Sequence, residues 1–227
     1  MSPSVRALSL VDVIAADIRD KLFEGEIEVD TQLTEAQVAA DYDVARPTAK
    51  AAIEKLVVEG LLLRGTHKTA RVPSLGPDDV RDLYFTRLLL ETGVVRRLAE
   101  QRRLPEGARE ANDKVIAVGD SASIDTIGPV LRFHVALVSD LGSPRTDRLY
   151  STLMGEMRLC MVQMQMRDLF EPAAIAREHE EIMKYIVAGD PEAAVAALTE
   201  HLKLAERRLV PMLEGDAEPK SGKLASR

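Results

Sequence analysis

Aliphatic side chains recur at helical spacing along almost the whole chain, and Gly and Pro cut that pattern into helix-sized pieces. This periodicity predicts a mainly α fold. Aromatic residues make up 4% and Trp is absent, so the core must be aliphatic; a 46% apolar share is enough to fill one. At 227 residues the chain suits one large domain or two small ones. The single Cys160 excludes an intramolecular disulfide and fits a reducing compartment. No apolar stretch is long enough to span a bilayer, and the N-terminus lacks a signal-peptide pattern, so a cytoplasmic protein without a membrane partner is expected.

The first helix is predicted from about Leu10 to Phe23, with Val11, Ile14, Ala15, Ile18 and Leu22 on its apolar face and Gly25 as its stop. Thr34 caps a short helix through Ala40. A third helix starts near Ala45, turns Ala49, Ala52, Ile53, Leu56 and Val57 inward, and ends at Gly60. Leu61 to Arg64 and Ala70 to Val72 read as two strands joined by a turn from Gly65 to Thr69. Three helices and a hairpin make a winged helix-turn-helix over residues 1–73. A Pro- and Gly-containing linker, 74–77, follows. Residues 78–213 read as an antiparallel all-helical bundle. Its helices begin near Asp78, Pro105, Thr126, Thr146, Pro172 and Pro191, and the Met-rich fourth one is expected to reach Asp168. The polar tail, 214–227, is expected to be disordered.

The net charge of −7 argues against DNA, but its distribution does not. Residues 44–72 hold Arg46, Lys50, Lys55, Arg64, Lys68 and Arg71 against Glu54 and Glu59. A basic footprint on an acidic protein suits specific rather than indiscriminate binding. The N-terminal residues of the second helix of such a motif meet base edges in the major groove. Arg46 can grip guanine bidentately or hold phosphate, Thr48 can reach either, and Lys50 suits phosphate. Thr66, His67 and Lys68 at the hairpin tip could enter the minor groove. Each residue alone reads more simply as solvated surface, and it is the ordered set that points to DNA.

The stretch Leu33-Thr34-Glu35, Val38-Ala39, Val44 to Ile53, Leu56 and Glu59-Gly60-Leu61 resembles the winged helix of the GntR superfamily. The helices that follow resemble the effector domain of its FadR subfamily, the FCD domain. This resemblance covers about Leu10 to Leu213. It implies a homodimer that binds a palindromic operator and usually represses until a small metabolite binds. The chain departs from the family pattern at Ala45, where Ser is common, at Lys50, where Arg is usual, and at Ala51, where Glu is common. Ala36 stands near a place where some members use Arg. These departures bear on the operator sequence rather than on docking.

Three histidines lie far apart in sequence, yet each falls on an apolar helix face: His134 with Val130, Leu137 and Val138, His179 with Ile175, Ile182 and Met183, His201 with Ala194, Ala197 and Leu198. Burying three imidazoles is costly unless each finds a partner. One such His reads best as a hydrogen-bonded core residue, while three point to a shared polar site, and one divalent ion would satisfy all three. The resemblance implies the same three positions as metal ligands, together with an Asp one turn before the first His, where this chain has Val130. Three His without a carboxylate still suit Zn, as in carbonic anhydrase, and leave room for water or an effector carboxylate. Ni or Mn fit less well without the oxygen ligand. The opposing reading is a lost metal site in a metal-free regulator of acyl-CoA or another anion.

Arg87 and Glu91 are spaced i, i+4: either a structural ion pair, or an Arg clamping an anionic effector in the cavity beside the histidines. Met154, Met157, Met161, Met164 and Met166 read mainly as core filler that could adapt to a ligand. The leading expectation is a repressor controlled by a small carboxylate, with metal sensing as an alternative. A helical metalloenzyme is remote: di-iron bundles need Glu three residues before each His, and here Leu131, Ala176 and Leu198 stand there.

Overall fold

The computed structural model describes residues 9–65, 69–118, 124–164 and 171–215. Helix α1 (Leu10–Glu24) starts at Ser9, whose hydroxyl accepts from the Asp12 N–H, and ends at Gly25 in the left-handed conformation, φ 76°. Strand β1 (Gln32–Thr34) leads into α2 (Glu35–Asp41), where Thr34 and Gln37 close a capping box. Helix α3 (Arg46–Val58) has Ala45 as N-cap, which offers no side-chain acceptor; the Thr48 N–H bonds the Ala45 carbonyl at 2.9 Å instead. Strands β2 (Leu63–Arg64) and β3 (Thr69–Arg71) complete an antiparallel sheet in the order β1-β3-β2, with Leu33 opposite Ala70 and Leu63 opposite Arg71.

Two details differ from the sequence expectation. β1 is an unanticipated third strand, too short at three residues to show an alternating pattern. Leu61 and Leu62 do not begin the hairpin. Their N–H groups turn back to the Leu56 carbonyl after Gly60, and both side chains enter the head core. The strands span less than Leu61 to Arg64 and start one residue before Ala70. The hairpin tip, Thr66, His67 and Lys68, lies outside the described residues.

Among the described residues there follow α4 (Pro77–Glu100), α5 (Glu106–Val118), α6 (Ile124–Ser139), α7 (Pro144–Gln163), α8 (Pro172–Ala188) and α9 (Pro191–Gly215). α4 packs along α9, α5 along α6 and α8, and α8 along α9. The Met-rich α7 stops at Gln163, short of the expected Asp168, with the Met164 N–H bonding the Cys160 carbonyl. Met166 and Asp168 lie outside the described residues, as do the polar break near Ser121 and the tail beyond Gly215. No helix is long and apolar enough to cross a membrane among the described residues.

The chain builds two apolar cores, one in the head (α1 to β3) and one in the bundle (α4 to α9). α7 belongs to both. Met154, Met157 and Met161 are buried in the bundle core, while Leu159, 1% exposed, sits in the core of the head. Past it, Arg158 lies over the Phe23 ring at 4.4 Å. Gln163 holds the connecting segment from both ends of its amide: Nε2 donates to the Pro73 carbonyl at 2.7 Å and Oε1 accepts from the Leu75 N–H at 3.4 Å.

Candidate functional site

The inward faces of α6, α8 and α9 bring His134, His179 and His201 together, the residues being 1%, 0% and 6% exposed. One nitrogen from each lies within 4.8 Å of the others. Each ring is gripped at Nδ1. His134 Nδ1 lies 2.7 Å from Glu91 Oε2, His201 Nδ1 lies 2.7 Å from Glu178 Oε2, and His179 Nδ1 lies 3.0 Å from Asn112 Oδ1. The Asn112 amide is itself oriented, because its Nδ2 donates to the Ala176 carbonyl. Phe133 stacks on the His179 ring, centroids 3.8 Å apart, and restrains its plane.

This second layer assigns the tautomers. All three partners are acceptor oxygens, so each Nδ1 carries a hydrogen, and Nε2 is the lone-pair nitrogen of each ring in its neutral form. Burial holds His134 down at about 4, outweighing the pull of Glu91, and burial holds His179 well below its ordinary range. The His134 and His201 Nε2 atoms face one another at 3.2 Å, and the buried His179 Nε2 has no hydrogen-bond partner. Lone pairs converging without donors are unfavourable unless an electrophile sits among them. Ligands held about 2.0–2.1 Å from one ion have nitrogens roughly 3 Å apart, which the 3.2 Å pair matches. Three imidazoles, each donating its Nδ1 hydrogen to a carboxylate or amide oxygen, form the donor set of a transition-metal site. Val130, one turn before His134, lines the same cavity and offers no ligand.

Arg87 is 2% exposed and its Nε donates to Glu91 Oε1 at 2.8 Å, so the structural ion pair exists. Glu91 therefore ties together Arg87, His134 and Tyr150, whose hydroxyl donates to Oε1 at 2.7 Å. Burial alone would raise the Glu91 carboxyl, but Arg87, aided by His134, holds it far below the usual carboxylate range. The Arg87 Nη2 and the Tyr84 hydroxyl are buried without hydrogen-bond partners. Both residues line a small cavity of about 40 Å³ with Val130, His134, His201 and Arg208. Arg87 thus has one nitrogen committed to the fold and another uncommitted at the cavity. Met161 forms part of the wall.

Sequence reasoning found the histidines but missed their Nδ1 partners. Asn112 could have been found: it lies on the same inward face of α5 as Ala108, Ala111 and Val115, an amide among apolar neighbours. Glu178 had no such signal, because it lies at the edge of the buried α8 face.

On the head, Arg46 and Lys50 are exposed on the first turns of α3, Thr48 is half-buried, and neither cation forms an ion pair among the described residues. The basic footprint is smaller than the residue count suggested. Lys55 is tied to Asp12, Arg64 to Glu35 and Glu54, and Arg71 to Asp30. Among the described residues from 44 to 72, that leaves Arg46 and Lys50 as the cations free to meet an external anion.

Residues 10–72 match the profile described as "Bacterial regulatory proteins, gntR family", and residues 82–204 match the FCD domain. A curated relative, the uncharacterized HTH-type transcriptional regulator BphR of Paraburkholderia xenovorans (strain LB400), is 23% identical over 211 residues, covering 88% of this chain and 85% of its own length. A putative GntR transcriptional regulator from Rhodococcus sp. RHA1 superposes with a TM-score of 0.78 at 26% identity, over 90% of this chain and 99% of that one. McbR/YncC from E. coli superposes at 0.71 with 18% identity, over 92% and 99% respectively, a likeness of fold.

Proposed function

The chain belongs to the GntR family of bacterial transcriptional regulators, in the branch with a FadR-like FCD domain, and from that premise we propose that it is a metal-dependent repressor released by a small carboxylate. The observation that carries this reading is the convergence of three Nε2 lone pairs whose Nδ1 atoms are all pinned. His134, His179 and His201 would hold a divalent ion, Zn foremost and Ni or Mn next. When bound, the ion supplies Lewis acidity that attracts an anionic oxygen.

Val130 sets the charge of the site. Without ion or ligand, Arg87 and Arg208 face Glu91 and Glu178, with Arg208 3.9 Å from Glu178. A divalent ion leaves that balance positive, and no protein carboxylate stands at residue 130 to offset it. The effector's own carboxylate completes the set, with the free Nη2 of Arg87 and the Tyr84 hydroxyl as donors. A cavity of about 40 Å³ favours a compact acid over an acyl-CoA chain.

The head, residues 1–73, reads operator DNA through Arg46, Thr48 and Lys50 on α3, with Thr66, His67 and Lys68 as further DNA contacts, and the segment 78–213 receives the effector. Two heads on a homodimer match a palindrome with half-sites about one helical turn apart. An exposed apolar strip on α4, Phe85 and Leu89 with the open Gly93 one turn on, together with Leu149 on α7, suits a self-association face. α7 carries the signal, because Met161 lines the effector cavity and Leu159 two residues earlier is buried in the head.

The test is elemental analysis of protein purified without chelator or His tag, followed by operator binding with and without small carboxylates. Near one Zn, Ni or Mn per chain, and operator release that needs both metal and acid, is the expected result. Absence of metal after dialysis against divalent ions would overturn the metal role. Release by the ion alone would make the protein a metal sensor.

A further inference from the structure

Away from the histidines, a cleft of about 650 Å³ separates the head from the bundle, within the size range of small-molecule sites and at the kind of domain junction where they occur. α7 forms its floor, α1 and the end of α3 one wall, and α6 the other. We propose that this cleft is a second ligand site, for an organic anion with an apolar body such as a medium-chain or aromatic carboxylate.

The lining has two chemistries. Phe23, Val58, Leu61, Leu131, Val135 and Met154 give an apolar surface contributed by both cores. Val58 is 79% exposed there, although it sits at the end of a helix whose other face is packed. Beside this surface are Arg132 and Arg158, on facing helices, and Arg148. None of the three forms an ion pair among the described residues. Arg19 and Glu59 also line the cleft but satisfy each other bidentately, and Asp147 is the lining carboxylate left outside an ion pair.

Arg158 is the telling residue. Its guanidinium is half-buried over Phe23, and its Nε is buried with no acceptor. Burial lowers its affinity for the proton and the charge of Arg132 lowers it further, with Asp20 and Glu24 offsetting only part of this. Two arginines brought together, one desolvated and short of an acceptor, are stabilised by a carboxylate placed between them. An apolar tail on that anion would cover Val58 and Leu131. A ligand held there touches head and bundle at once, so it fixes their relative orientation without entering the histidine cavity.

The experiment is calorimetric titration of the full chain with octanoate and 2-naphthoate, and with 2-naphthol as the neutral counterpart. Saturable binding of one anion per chain is expected, at least tenfold tighter than the naphthol. Arg132→Gln, Arg158→Gln and Val58→Glu should each weaken it about tenfold or more. Arg132 and Val58 are exposed, so their variants keep the fold even if loss of the Phe23 contact disturbs the Arg158 variant; circular dichroism checks this. His179→Ala, which disables the metal site, should leave binding intact. No saturable binding of either acid, equal affinity for the naphthol, or sensitivity to His179→Ala without sensitivity to Arg132→Gln would each overturn the proposal. The last would place the anion in the bundle cavity.

Discussion

In the head, Arg19 meets Glu59 with both side chains more than a quarter exposed, and Arg64 meets Glu54 in contact with water; in the bundle, Arg87 meets Glu91 with 3% and 1% of their side chains exposed. Apart from Glu35, every buried polar residue among those described lies in the bundle. Surface pairs contribute little to stability and are easily exchanged. The head is therefore held by its aliphatic core and by its caps and turns. The bundle keeps desolvated charges and three imidazoles where apolar side chains would pack at lower cost. Such a network stays intact only if nearly every member is satisfied; around the histidines and Glu91 the unsatisfied groups are His179 Nε2, Arg87 Nη2 and the Tyr84 hydroxyl, which we assign to ligands, while the buried Thr126 hydroxyl elsewhere in the bundle also lacks a partner among the described residues.

That contrast can be broken in several places. The largest effect is expected from Glu91→Ala. It leaves Arg87 buried without its counter-ion and frees His134 and Tyr150, so a loss of about 3–5 kcal/mol is expected by denaturant unfolding; a loss below about 1 kcal/mol would show that the network is not under tension. Leu159→Ala should cost about 3 kcal/mol, in the range of buried Leu truncations. Although Leu159 belongs to a bundle helix, hydrogen exchange should report the loss of protection first in α1 and α3. Faster exchange confined to the bundle would mean that the two cores are independent.

Metal removal is expected to act on the bundle alone. With the ion at about a hundredfold over its dissociation constant, chelation should lower stability by about 2.7 kcal/mol, and His179→Ala should abolish that response. A chelator that destabilises the variant equally would point to metal elsewhere. Arg46→Ala should leave the melting temperature unchanged and weaken operator binding by about 1–3 kcal/mol; unchanged affinity in a gel-shift titration would mean that α3 is not the reading helix. The smallest effect is a gain. Ala45→Ser supplies the missing N-cap acceptor for α3, whose N-cap backbone is already extended, and should add about 1 kcal/mol of stability, and a neutral or negative shift would show that the hydroxyl does not reach a free N–H of the first turn.

The same contrast explains what the sequence disclosed. The head is built from local devices: the Thr34 cap with its Gln37 return, Gly25 and Gly60 as stops, and Pro47 in the first turn of α3. Each is readable within a few residues, and the helices fell close to their expected places. β1 escaped because its three residues pair with a strand almost forty positions away. In the bundle, helical periodicity placed all three histidines inward, since facing the core is a local property of each helix. Which oxygen meets which imidazole depends on packing between helices remote in sequence. Asn112 reaches His179 across 67 residues and Glu91 reaches His134 across 43. The charge count could not register pairing for the same reason: Lys55, Arg64 and Arg71 meet acids in the folded head.

Leu159 also limits how such a regulator can be recombined. Exchanging sensor modules at the segment from Pro73 to Gly76 treats the head as a self-contained cassette, yet one plug of its interior is supplied from beyond that joint. A chimera cut there inherits a leucine-sized hole in the head unless the incoming sensor brings its own side chain to the same spot. Grafts that carry the matching face of α7, from Arg158 to Gln163, should transfer a head that still folds tightly and still responds.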